Sequence, residues 1–474
     1  MQHIDLLVTA PHALTMQGDG VGYLSEVALA VDRGRIVSIA SRDSIVAEFS
    51  ADRMIESPHH VLLPGFVDAH MHTALALLRG LAQDTRHWMM YGLGPFSRQL
   101  SQAASDAGSR LAIVEALKCG TTTFGDFGWS MDGVCAFVEQ IGVRAAVSVT
   151  VREAKQRIYA PGELYEFDVA QGRAQLQENL RVFSRWHGAA NGRIRVLFGP
   201  QGADFLSREL LQQTFNAARE RRTKVHMHTA QGDRETAQML MRYGQRSIPW
   251  LDSLGLLDPT LMAVHLTDAT EDEARLVASR GASMALCSGS IGIIDGIVPP
   301  AAAFVMAGGS VGLGSDQAPG NNCHNIFNEM KLTALFNKIR AADPEVMPAW
   351  RVLRMATIEG ARAIGWADEI GSLEVGKRAD FLLVDLSRPG LTPVHTQPMR
   401  NIVPNLVYAA RGDEVSCVVV DGQVLAQDGR VMTVSESEIV AEAQAQADPI
   451  GAAAADDFWR VNGNNAELMR GGRL

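Results

Sequence analysis

Between about residues 61 and 365 this 474-residue chain alternates short apolar runs with helical stretches, and that alternation narrows its possible folds more than any other feature. The runs are 61–67 (VLLPGFV), 121–126 (TTTFGD), 143–150 (VRAAVSVT), 194–198 (IRVLF), 223–227 (TKVHM), 261–264 (LMAV), 282–287 (ASMALC) and 310–314 (SVGLG). Helical periodicity fills the gaps, as in 101–118, 207–221 and 270–280, with Ser207 and Thr270 placed as N-caps. Near-continuous apolar strands alternating with helices imply a parallel sheet covered on both faces, and eight such units imply a closed (β/α)8 barrel. An open doubly wound sheet is the main rival. No G-x-G-x-x-G opens the first strand–helix turn, which disfavours its dinucleotide-binding version.

The two ends of the chain are patterned differently. Residues 4–9, 26–31 and 35–39 near the start, and 380–385, 415–420 and 423–425 near the end, read as short strands. The last two are joined by Asp421-Gly422, a strong hairpin signal. The expected organisation is a β-sandwich built from residues 1–57 and 376–435, a barrel over 58–375, and a mostly helical tail over 436–474.

Lys plus Arg number 43 against 53 Asp plus Glu, a formal charge of −10 with no basic block, so a nucleic-acid or anionic-membrane partner is not expected. The five cysteines are widely spaced and form no C-x-x-C pair, which argues against a disulfide framework. The segment MQHIDLLVTAPHALTM lacks the marks of a signal peptide, and no apolar run is long enough to span a bilayer. A cytoplasmic protein acting on a small molecule, assembled as a homo-oligomer, is the expectation.

Metal-type residues fall where barrel strands end. His70 and His72 follow the first strand (GFVDAHMHT), and side chains at i and i+2 on an extended segment reach the same side. His228 ends the fifth strand, His265 the sixth, and Asp316 the eighth. All C-terminal strand ends of a barrel open onto one face, where active sites form. Taken singly, each has an ordinary structural use, such as a rim histidine or an N-cap aspartate. Taken together in this order, they indicate one metal site. His226 is expected to point away from it or to line the barrel.

The stretches LPGFVDAHMHTALALLRG, ALKCGTTTFGD, KVHMH, MAVH, GLGSDQAPGNN and MATIEGARAIGWADEIGSLEVGKRADFLLVD resemble the amidohydrolase superfamily, in particular the branch with atrazine chlorohydrolase, s-triazine hydrolases and S-adenosylhomocysteine deaminase. The resemblance implies that His70, His72, His228 and Asp316 bind one divalent ion, with Zn2+ the default and Fe2+, Mn2+ or Co2+ open. His265 then lies beside it as an acid–base group. Relatives with two metals carry a carboxylated lysine after the fourth strand; FGPQGAD has none, so one ion is implied. Such an ion drops the pKa of its water from about 15.7 toward about 7, and Asp316 can accept the proton while neutral His265 steers the water.

Two positions depart from the family. Deaminases of this branch have Glu three residues after the fifth-strand His, where this chain has Gln231, and usually His after the fourth strand, where it has Gln201. Gln cannot shuttle a proton, only orient or polarise. The two changes favour an amide, urea, carbamate or thiocarbamate substrate, attacked by metal-bound hydroxide at a carbon–nitrogen or related bond. A deaminase or chlorohydrolase acting on a triazine or purine is the alternative, and a non-hydrolytic lyase or a binding protein a further one. Asp233 and Glu235 are candidate replacements for the missing carboxylate, or simply helix-dipole partners. The loop after the first strand brings Arg79, His87 and Trp88 toward the predicted mouth, with Trp129 and Cys323 nearby. Trp88 is a candidate to stack on a ring or to pack in the core. Gln201 and Asn322 are candidate substrate contacts, although Asn321 and Asn322 also suit a turn. Cys323 has no patterned histidine partner and is not expected to be a nucleophile.

Overall fold

The computed structural model describes the backbone of every residue except 82, 86, 87, 158, 161 and 462, and no side chains over 461–465. Eight parallel strands, Phe66–Met71, Thr121–Gly128, Arg144–Val151, Ile194–Pro200, Val225–Thr229, Leu261–His265, Ser283–Leu286 and Val311–Leu313, pair in sequence order. A parallel bridge between Met71 and Asp316 joins the last to the first. The Asp316 N–H donates to the His70 carbonyl (2.8 Å), and the His72 N–H to the Asp316 carbonyl (3.0 Å). The seam that closes the barrel therefore also sets three candidate ligands side by side. Such a close approach needs a residue without a side chain at position 314, where a Cβ would lie 3.0 Å from the His70 Cβ.

The first expected barrel strand, 61–67, is in fact two strands. His60–Pro64 pairs with Gln2–Leu14 and Phe381–Asp385 in the terminal sheet, and the barrel begins only at Phe66. An apolar run buried throughout gives no alternation to mark that break; the Pro64-Gly65 pair does. The terminal sheet has nine strands, mixed in direction, drawn from both ends of the chain and forming the β-sandwich. It includes Phe49–Glu56, pairing in parallel with Gln2–Leu14, which the sequence reading missed. The Asp421-Gly422 hairpin is formed, with both residues at positive φ (48° and 74°) as a two-residue turn requires.

Arg144, fully buried at the start of the third barrel strand, ties the two units together. Its guanidinium donates to Asp380 (2.8 and 3.1 Å), just before the strand Phe381–Asp385, and to Asp421 (2.7 Å) in the hairpin turn of the terminal sheet. Removing one partner of such a buried group leaves an uncompensated charge, at a cost of about 3–5 kcal/mol.

Ser207 caps its helix by accepting from the Leu210 N–H, and Thr270 with Glu273 forms a capping box. Helices Glu436–Val461 and Gly463–Arg470 end the chain. Ile450, Ala454 and Phe458 pack there with Leu75, Leu78 and Phe96 of the loop after the first barrel strand. All five cysteines are free thiols, and no helix among the described residues is long and apolar enough to cross a membrane.

Candidate metal centre

Three histidines present the same nitrogen to one point. His72 Nδ1–H donates to the Phe127 carbonyl (2.7 Å) and His228 Nδ1–H to the Gln201 carbonyl (2.9 Å), so each keeps its Nε2 lone pair free. His70 is fixed by a longer relay. Its Nδ1 lies 2.7 Å from His226 Nε2, His226 Nδ1 lies 2.7 Å from Ser148 Oγ, and Ser148 Oγ lies 3.2 Å from the Asp126 carbonyl. A carbonyl only accepts, so each proton must point along the relay toward Asp126, and His70 Nε2 is left with a lone pair.

The ligating atoms of His70, His72 and His228 lie within 4.8 Å of one another, as do those of His70, His265 and Asp316. Asp316 Oδ1 is 3.4 Å from His70 Nε2 and 3.5 Å from His72 Nε2, while Ser290 Oγ donates to Oδ2. His70 Nε2 and Asp316 Oδ1 are buried with no hydrogen-bond partner among the described residues, as is His265 Nδ1. Buried polar atoms seldom stand alone. Three imidazole nitrogens and a carboxylate oxygen converging this way fit a divalent ion such as zinc.

Burial drives the histidines neutral, the state a ligand needs. It holds His70 and His228 well below their ordinary value, His226 at about 3 and His265 at about 4. His265 and Asp316 also sit in left-handed backbone (φ 76° and 59°), a conformation costing roughly 1–3 kcal/mol for such residues and concentrated at functional sites.

Of the two placements expected for His226, pointing away from the ion or lining the barrel, the second holds: it faces inward, at i−2 from His228, and supports His70. Strand alternation carried that signal, since it puts both histidines on one side.

Two chambers open from the centre. One, about 180 Å3, is walled by His72, His228, Gln201, Phe205 and Trp129 together with four arginines, Arg98, Arg152, Arg157 and Arg234. The other, about 300 Å3, is walled by His265, Asp316, Trp88, Asp233 and Asp295. Gln231 lines both. Asp295 was not singled out in the sequence, where it reads as a helix end; burial and the nearby Asp233 and Asp316 carboxylates push it up to about 6.

Glu235 does not face either chamber. Its carboxylate accepts from the N–H groups of Ala230 (3.0 Å) and Gln231 (2.8 Å) and from the Ser247 hydroxyl, holding the turn that carries Gln231. Asn322 spends its amide on Gly80 N–H and the Gln83 side chain and lines neither chamber. Arg79 pairs with Glu115, and burial pushes the Cys323 thiol up to about 12. His87 lies outside the described residues.

A model of the amidohydrolase family matches residues 61–425. The chain belongs to the amidohydrolase family. This amidohydrolase is 32% identical over 456 residues to a 5'-deoxyadenosine deaminase of Methanosarcina mazei, an alignment covering 94% of this chain and 98% of that protein. With a 5-methylthioadenosine/S-adenosylhomocysteine deaminase of Desulforudis audaxviator it shares 35% identity over 421 residues, 88% and 93% of the two chains. An adenosine deaminase from Xanthomonas campestris, solved with bound zinc, superposes with a TM-score of 0.87 at 29% identity over 95% of this chain and 99% of that one. Atrazine chlorohydrolase from Arthrobacter aurescens, also with zinc, shares the fold at 22% identity and a TM-score of 0.82, over 93% of this chain and all of that one (100%). The protein is a hydrolase of carbon–nitrogen bonds.

Proposed function

We propose that the protein is a zinc-dependent aminohydrolase that exchanges the amino group of an N-heterocycle, free or as a nucleoside, for oxygen and releases ammonia. The observation that carries this reading is the convergence of His70, His72, His228 and Asp316, with neutral His265 beside them, at the junction of two chambers of small-molecule size. The deaminase names of relatives aligned over most of the chain support it.

A divalent ion held by the four residues supplies a Lewis acid that lowers the pKa of a water toward about 7. The remaining work falls to this chain's own groups. Asp316, oriented by the Ser290 hydroxyl on its Oδ2, takes a proton from the attacking water and returns it to the departing nitrogen. His265, pushed down to about 4, is an uncharged imidazole at neutral pH and stabilises developing charge at the attacked carbon without repelling an adjacent cation. Gln231, whose backbone is held by Glu235, donates an amide N–H to a ring nitrogen and polarises the ring instead of protonating it. Water adds and ammonia leaves, with Asp316 unchanged over the cycle.

A carbonyl substrate, such as an amide, urea or carbamate, is the second reading. Gln231 and Gln201 favour it, because a carbonyl carbon needs no ring protonation. An ammonia-release screen with zinc-loaded enzyme separates the two. Aminated purines, pterins and triazines should turn over and Asp316→Asn should abolish the reaction; turnover confined to amides, ureas and carbamates would replace the deaminase reading.

A further inference from the structure

A third cavity, about 700 Å3, lies away from the candidate metal centre. Ser310 lines it just before the eighth barrel strand, whereas the candidate metal ligands stand at the opposite strand ends. Two consecutive helices, Ala349–Met355 and Ile358–Ala363, bring Arg351, Arg354, Glu359 and Arg362 to its wall. Trp350, half-exposed, and Val305 add an apolar side. The aminohydrolase reaction uses none of these groups.

Arg354 has a structural task. Its Nη1 donates to the carbonyls of Met16 (3.3 Å), Gly18 (2.8 Å) and Gly20, holding that turn. Arg351 Nη1 lies 3.3 Å and Arg354 Nε 3.6 Å from one oxygen of Glu359, Oε1. The other oxygen, Oε2, is buried with no hydrogen-bond partner among the described residues, as are Ser310 Oγ and the Nε atoms of Arg351 and Arg354. Arg362 is exposed, and its side chain makes no hydrogen bond or ion pair among the described residues. Three cations thus act on Glu359, yet burial pushes its carboxyl up, so the central counter-charge is weak. The two other carboxylates of the wall, Asp19 and Glu345, are exposed and screened by water. Guanidiniums in excess, beside orphaned buried polar atoms, are completed by an oxyanion that accepts paired hydrogen bonds.

We infer that this cavity is a binding site for an organic anion: Arg351 and Arg362 hold its carboxylate or phosphate, the Ser310 hydroxyl adds a donor, and its apolar body lies against Trp350 and Val305. A volume of about 700 Å3 leaves room for that body beside the acid. The site stands apart from the metal centre, and the inference holds whichever reaction occurs there.

The test is calorimetric titration of zinc-loaded full-length protein with phenyl phosphate, benzoate and the neutral benzamide. At least one anion should bind with a Kd below about 1 mM, and benzamide at least about 10-fold more weakly; the tighter anion identifies the acid. Arg362→Met should weaken that anion about 10-fold or more while leaving zinc content and the anion-free melting temperature unchanged, and Arg362→Lys should recover part of the loss. Arg351→Met should give a similar loss, and it carries the test if Arg362→Met fails to fold. Trp350→Ala should weaken phenyl phosphate more than inorganic phosphate; an equal loss on both would remove the apolar wall from the site. The site is overturned if neither anion binds, or if benzamide binds as tightly as the anions. It is equally overturned if both arginine variants bind the anion as the wild type does, which would place the binding in the chambers at the metal centre.

Discussion

His226 stands 2.7 Å from His70, Nε2 to Nδ1, and neither imidazole reaches solvent. The pair makes a histidine that touches no ion responsible for the orientation and tautomer of one that does. His226→Ala should weaken zinc affinity roughly 10–100-fold, measured by competition with a chromogenic chelator. Ser148→Ala, one bond further along the relay, should give a smaller loss. Unchanged affinity in His226→Ala would mean that packing alone positions His70. Exhaustive chelation should abolish activity in the wild type, and added Zn2+ should restore it.

Acid should destabilise the protein, and the buried His324 is one cause outside the metal centre. Burial holds its imidazole down at about 4, while Ser315 Oγ lies 2.9 Å from Nδ1. The unfolded chain, with an ordinary value near 6.5, binds the proton more readily. Stability from this group is therefore complete above pH 6.5 and lost as pH falls from there toward 4. His324→Gln should flatten part of the decline in melting temperature across that window. An unaltered pH–stability curve would place the acid sensitivity elsewhere.

The helix Glu436–Val461 braces the wall of the first chamber. Phe458 packs against Phe96 (ring centres 5.4 Å apart) in the cluster that contains Leu75 and Leu78, and Leu75 and Leu93 line the chamber. Phe458→Ala should cost about 3 kcal/mol in urea unfolding and raise KM more than it lowers kcat, because the loop loses its backing while the metal ligands stay on their strands. A loss under about 1 kcal/mol would show the helix to be loosely held.

What the sequence revealed follows a physical division. Strand positions came through because burial on both faces leaves continuous apolar runs, and the structure brings His70, His72, His228, His265 and Asp316, at or just beyond the ends of those runs, to one face of the barrel. Three features stayed hidden. The break at Pro64-Gly65 separates two strands that are equally apolar, so hydrophobicity did not register it. The edge strand Phe49–Glu56 is half polar and reads as a loop. Glu235 looked like a spare carboxylate for the reaction, but its use as a cap depends on Ser247, twelve residues on. Contacts between loops from different strand ends, such as Arg152 with Phe205 and Arg234, have no local signature at all.

Gln231 offers the sharpest test of the chemistry. It lines both chambers, its backbone N–H is anchored 2.8 Å from Glu235, and Arg234 lies on the same wall. Gln231→Glu changes one amide to a carboxylic acid of the same shape, so packing is preserved and only proton transfer is added. If the substrate is an aminated heterocycle, the new acid can protonate the ring nitrogen that Gln231 merely polarises. Its kcat should then rise by about 10-fold or more, within the range expected of general acid catalysis, with an acid limb in the pH–rate profile that the wild type lacks. If the substrate is a carbonyl compound, the same change puts an anion beside a site that must stabilise a developing oxyanion, and the native rate should fall. Rates of wild type and Gln231→Glu on matched amino-heterocycle and amide substrates, compared at equal zinc content, decide between them. A gain on the heterocycle supports the deaminase reading, while a loss on both substrates would mean that Gln231 serves the chemistry through its amide and that the carboxylate of the relatives has no equivalent role here.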